Sequence, residues 1–138
     1  MTTTTSTSPT QTSSALVTPA RVAIGAAVGL VLNLIALWIG SASGASLETD
    51  APEPINALTV AITSVLPVVL GALVVARVAR HRPGFQHVAA WAGSAFAILT
   101  AAMPFVVSDD LATALTLASM HVVISVVWFA TIRPTPTR

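Results

Sequence analysis

Four long apolar runs constrain this chain more than any other feature. They read ARVAIGAAVGLVLNLIALWIG at 20–40, INALTVAITSVLPVVLGALVVARVAR at 55–80, HVAAWAGSAFAILTAAMPFVV at 87–107 and DLATALTLASMHVVISVVWFATI at 110–132. Each has at least about 20 residues, which at 1.5 Å per residue crosses roughly 30 Å of hydrocarbon. No water is at hand there to satisfy the backbone, so each run is predicted to be a helix closing its own hydrogen bonds. The resulting fold class is all-α, an integral membrane antiparallel four-helix bundle. Composition agrees, since 54% of the residues are hydrophobic and only 8% charged. A water-soluble domain carries about 25% charged residues, and so few here could not solvate a surface of this size.

The polar segments divide the chain into a tail at 1–18, a membrane domain at 19–132 and a short tail at 133–138. The opening MTTTTSTSPTQTSSALVT has too little to bury to offset its ordering entropy, and is predicted to be disordered. Pro19 stands where the first helix would begin, a place that its fixed φ suits. SASGASLETDAPEP at 41–54 is a polar loop, HRPGFQ at 81–86 a tight turn, and Ser108 with Asp109 a very short connection. A carboxylate at Asp109 or Asp110 can cap the last helix. The first run is longer than the apolar core of a secretory leader and is read as a retained span.

Charge orients the bundle. Arg21, Arg77, Arg80, Arg82, Arg133 and Arg138 all fall on one side of the spans, and Glu48, Asp50, Glu53, Asp109 and Asp110 all fall on the other. The positive-inside rule then predicts both termini in the cytoplasm, with the acidic loops facing out. With a formal net charge of +1 there is no basic surface for nucleic acid, and the expected surroundings are the lipid bilayer, with a membrane-protein partner or a second copy of the chain. The chain has no cysteine, hence no disulfide and no thiolate chemistry.

Lipid tails provide no hydrophobic drive between helices, so small residues mark the close crossings. Gly25, Gly29 and Asn33 form one such stripe. Ser64 and Gly71 lie on the second helix, with Pro67 as a kink. Ala90, Gly93, Ser94, Ala97, Ala101 and Pro104 lie on one side of the third, and Leu117, His121 and Ser125 on the fourth. The helix-packing set is Gly25, Gly29, Gly71, Gly93 and Ala97. The GxxxG of Gly25 and Gly29 suits either a dimer or ordinary packing within the chain.

Rise per residue puts Asn33 and Thr100 roughly 10 Å below the outer boundary, and Ser64, Ser94 and His121 at roughly 14–18 Å. Asn33, Ser64, Ser94, Thr100 and His121 are therefore the candidate intramembrane polar cluster, with His121 at the centre of one hydrogen-bond network. An ionisable residue at that depth is a functional candidate by default. The competing reading is a neutral imidazole that ties helices together, donating to Ser94, Ser64 or a carbonyl, since desolvation favours the neutral form. His81 and His87 lie at the turn beside three arginines and show no metal-ligand spacing. Trp38, Trp91 and Trp128 lie toward span ends and are read as the interfacial belt. No catalytic signature, metal motif or cofactor fingerprint is present.

With four spans, both ends inside and Met120-His121-Val122-Val123 in the last span, the chain resembles the small four-pass membrane proteins of actinobacteria catalogued as a family of unknown function. The likeness covers about residues 18–132. It implies a four-helix membrane domain in the plasma membrane and provides no activity or site residue. The expectation is a non-enzymatic partner or accessory subunit. The alternative is a small oligomeric transporter or channel with its polar site around His121, and a third reading is binding of a quinone or lipid.

Overall fold

A computed structural model describes residues 14–15, 17–50, 52–82 and 84–136. Most of the Thr/Ser tract, like Arg138, lies outside the described residues. The element order is β1 (Ser14–Ala15), α1 (Pro19–Ala42), α2 (Ala57–Ala79), α3 (Phe85–Thr100), α4 (Pro104–Val107), α5 (Leu111–Ile132) and β2 (Thr135–Pro136). Four spans result, because α3 and α4 together make one apolar segment from Phe85 to Val107. The protein is an all-α, four-helix bundle whose helices are long and apolar enough to cross a membrane.

Local chemistry sets the helix ends. Pro19 occupies the first turn of α1, and the Thr18 hydroxyl accepts from the Arg21 amide. Asn56 caps α2 by accepting from the Leu58 and Thr59 amides at 2.9 and 3.0 Å. Of the two candidate aspartates, Asp110 is the cap of α5, accepting from the Thr113 amide at 2.8 Å. Such caps satisfy donors that the first helical turn leaves free. Gly84, at φ 96°, makes the left-handed turn into α3, where a side chain would be strained.

The third span differs from the sequence expectation of one helix over 87–107. It breaks after Thr100 into a turn, and α4 restarts at Pro104. Pro104 has no N–H for the Thr100 carbonyl, and the amides of Ala101, Ala102 and Met103 bond three residues back instead of four. Pro67, in contrast, lies inside an unbroken α2.

In cross-section α1 neighbours α2 and α5, while α3 packs closely on α5 and more loosely on α2. The packed faces follow helical spacing: Ala26, Gly29, Asn33, Leu37 and Gly40 on α1, and Val60, Ser64, Val68, Ala72, Val75 and Ala79 on α2. Two apolar clusters fill the interior. Toward the arginine-bearing end, Val17, Ala72, Val75, Ala90 and Ile132 pack together; toward the acidic end, Leu37, Val60 and Met120 do so. The outward faces are strongly apolar, with Ile24, Leu58, Leu73, Phe96 and Leu99 among the exposed residues. Lipid would cover such faces at no hydrophobic cost.

Both ends of the described bundle are tied down. β1 pairs antiparallel with β2, Ser14 opposite Pro136, and Arg21 donates to the Ala130 carbonyl. Gln86, buried, donates to the Ile132 carbonyl at 2.8 Å and so occupies the C-terminal end of α5. At the acidic end the Ser46 hydroxyl and amide both donate to Asp110 Oδ2, at 2.6 and 3.1 Å. Leu47 follows with its amide on Thr113 Oγ1 at 2.9 Å and a φ of 58°. That left-handed backbone is uncommon for leucine, and the clamp holds Leu47 against the Leu37–Val60–Met120 cluster.

Candidate intramembrane site

The polar residues of the spans separate into distinct pairs rather than one network. Asn33, buried on α1, donates from Nδ2 to Ser64 Oγ on α2 at 2.8 Å. On the other side of the bundle the hydroxyls of Ser94 and Ser125 lie 2.6 Å apart, and each reaches the other residue's carbonyl, at 3.1 and 3.0 Å. Thr100 donates to the Ala97 carbonyl within its own segment. His121 bonds neither pair. Its Nδ1 lies 2.8 Å from the carbonyl of Leu117, one turn back on the same helix.

Two expectations change on this geometry. The network centred on His121 does not form, because depth alone does not bring side chains on different helix faces into contact. Nor does His121 tie helices together, since its one bond is intrahelical. A carbonyl only accepts, so Nδ1 carries the proton; in the neutral ring Nε2 is then an acceptor. Nε2 has no partner among the described residues.

The packing glycines all meet side chains of the same chain. A Cβ added at Gly25 would overlap the Thr131 hydroxyl, and one at Gly29 would lie 3.4 Å from Ile124 Cδ1 and 3.5 Å from Val127 Cγ1. The GxxxG face of α1 is thus occupied by α5. Gly71 and Gly93 form a slot for Trp128, whose indole would be 2.7 Å from a Cβ at Gly71 and would overlap one at Gly93. Trp128 Nε1 donates to the Ala89 carbonyl at 2.9 Å. Trp128 is therefore an interior residue, whereas Trp38 and Trp91, 72% and 58% exposed, stand on the lipid-facing surface. Sequence position puts all three near span ends; only the facing glycines distinguish Trp128. Ala97 is half-buried, beside the larger of the two cavities that His121 borders.

The smaller cavity, about 190 Å³, is bordered by Asn33, Thr59, Thr63, Met120, His121 and Ile124, with Ile55, Val60 and Leu117. The larger, about 400 Å³, lies between α2, α3 and α5 and is lined by Val68, Phe96, Ala97, Thr100 and Trp128 among others. His121 and Ile124 border both. Asn33 is 2% exposed, and its Oδ1 is buried with no hydrogen-bond partner. A buried, unpaired amide oxygen is uncommon, because it forfeits its hydration without replacement. Among the described residues no group of three or more His, Asp or Glu is gathered.

Fold and interior together define a polytopic helical membrane protein with a partly polar cavity between its spans. The chain belongs to DUF6069, a family of unknown function, whose match extends over residues 13–138. No curated protein and no solved structure matches it.

Proposed function

We propose that this is a non-enzymatic four-pass protein of a bacterial plasma membrane, an accessory subunit that works by binding within the bilayer. Both termini lie in the cytoplasm. The observation that carries the reading is the closure of the intramembrane polar groups into separate pairs, Asn33 with Ser64 and Ser94 with Ser125. Paired in this way they hold adjacent helices and leave no polar file along the bundle axis. A route for ions or polar solutes would need such a file. The separation of six arginines from five acidic residues supports the orientation. The lysine-free, Ala- and Thr-rich composition and the resemblance to actinobacterial four-pass proteins support a bacterial source.

The test is reconstitution of the purified chain into liposomes, with flux of monovalent ions and small polar solutes as the readout. No flux above empty liposomes is expected, and protein-dependent flux would overturn the reading in favour of a transporter or channel. Orientation is tested separately in the naturally cysteine-free chain. Ser43→Cys in intact cells is expected to react with a membrane-impermeant maleimide, and Thr135→Cys only after permeabilisation.

A further inference from the structure

We propose that the cavity beside Asn33 and His121 binds the hydroxylated aromatic head of a lipid-soluble phenol or quinol. This deepens the accessory reading and rests on it, since it names what such a subunit holds within the bilayer.

The polarity of the cavity decides the ligand chemistry. Most of the donors on its wall are already committed. Asn33 Nδ2 is given to Ser64 Oγ at 2.8 Å, and His121 Nδ1 to the Leu117 carbonyl at 2.8 Å. Thr59 Oγ1 reaches Asn56 Oδ1 at 3.3 Å, and Thr63 Oγ1 reaches the Thr59 carbonyl at 2.8 Å. What remains are two acceptors, the orphan Oδ1 of Asn33 and Nε2 of His121, against one donor, the second Nδ2 proton of Asn33. Pro67, four residues beyond Thr63, also has no N–H to offer the Thr63 carbonyl. An occupant that donates is therefore favoured over one that only accepts.

Three kinds of donor could satisfy such a wall, and the surroundings select among them. A cation would meet no carboxylate here, and an uncompensated charge at this depth is costly. Water donates too, but the rest of the wall is Ile55, Val60, Leu117, Met120 and Ile124, and a water held at the polar groups would leave most of that apolar space without contacts. A neutral hydroxyl on an apolar body fits both demands. A volume of about 190 Å³ holds a single aromatic ring, since an engineered apolar cavity of about 150 Å³ takes up benzene. The Met120 thioether is a favourable neighbour for a ring. The larger apolar cavity across His121 and Ile124 suits the attached chain. Thr63 is exposed on the lipid-facing side of α2, so the head has a lateral way in from the bilayer.

The test is titration of the detergent-solubilised full chain with a short-chain benzoquinol, kept reduced, and with the matching benzoquinone, each read as saturable binding by calorimetry. The two differ in donors and hardly at all in shape. Saturable quinol binding is expected, with the quinone about tenfold weaker, the ratio that losing one or two hydrogen bonds would produce. His121→Phe keeps a planar ring, removes Nε2 and disturbs no interhelical bond; it is expected to narrow the preference for quinol severalfold. Thr63→Trp places a large ring at the entrance and is expected to weaken both ligands about tenfold or more. Absence of saturable quinol binding to the wild type would overturn the proposal, as would equal affinity for quinol and quinone. Binding unaffected by both substitutions would also overturn it, because the ligand would then sit elsewhere. The accessory reading fails separately, through flux in liposomes, and that outcome leaves the binding result intact.

Discussion

Toward the arginine-bearing end, Trp128 fills a slot cut by Gly71 and Gly93, and Ser94 and Ser125 close on each other through three contacts of 2.6 to 3.1 Å. Toward the acidic end, α1 and α2 share one side-chain bond, from Asn33 to Ser64, beside a cavity and an orphan amide oxygen. Both regions join helices of similar composition. The first spends the polar groups of Trp128, Ser94 and Ser125 on packing, and all three are satisfied. The second leaves acceptors unused at a place where a small molecule fits. Within a membrane such unused polarity is costly, so a ligand that satisfies it gains from the start.

The largest effect that would break this contrast is Trp128→Ala. Removing the indole empties the glycine slot and leaves the Ala89 carbonyl without its side-chain donor, and a loss of about 3–5 kcal/mol is expected. Reversible unfolding in mixed micelles measures it, and a cost below about 1 kcal/mol would show that the slot adds little. Gly93→Ala acts at the same place from the other side. Its Cβ overlaps the indole, and overpacking is expected to cost about 1–3 kcal/mol with a lowered thermal midpoint.

Hydrogen bonds provide a finer comparison. In a double-mutant cycle of Ser94→Ala and Ser125→Ala, a coupling of about 0.6 and at most about 1.7 kcal/mol is expected. Asn33→Leu also deletes an interhelical bond, yet it removes the orphan Oδ1 with it. Its expected effect on unfolding is within about 1 kcal/mol of zero, and a loss as large as that of Trp128→Ala would contradict the division drawn here.

The smallest effect concerns the outer clamp. Hydrogen bonds from Ser46, then from Thr113, hold the Asp110 carboxyl well below the usual carboxylate range. A depressed value means that the clamp's contribution is complete above the unfolded value of about 3.9. It is lost only as pH falls further, through the depressed value. The amide resonance of Ser46, followed on acidification, is expected to hold its position at pH about 4 and to move only in stronger acid. A midpoint near the ordinary carboxylate value would show that the clamp is not formed.

Length and hydropathy, properties of one segment at a time, were enough to read four spans and their ends from the sequence. Thr18 and Pro19 start α1, and Asp110 starts α5, through contacts within a few residues. The break at Pro104 was equally local, and an apolar run of 21 residues from 87 to 107 concealed it because the turn keeps its own amides bonded three residues back and needs no polar side chain. Depth too was legible, since rise per residue is constant. Which side chains meet at a given depth was not. Ser94 finds Ser125, Asn33 finds Ser64, and His121 turns back to Leu117 because each helix's rotation follows from the shapes packed along its whole length. The slot between Gly71 and Gly93 that draws Trp128 inward is one such shape. So is the gap between α2, α3 and α5, bordered by Pro67 and Phe96, where the larger cavity opens. The sequence by itself determined that the chain inhabits a bilayer and in how many passes. Only the tertiary structure decided which polar groups are satisfied and which are left facing a cavity, because that depends on rotation and neighbour, and neither is encoded in any single helix.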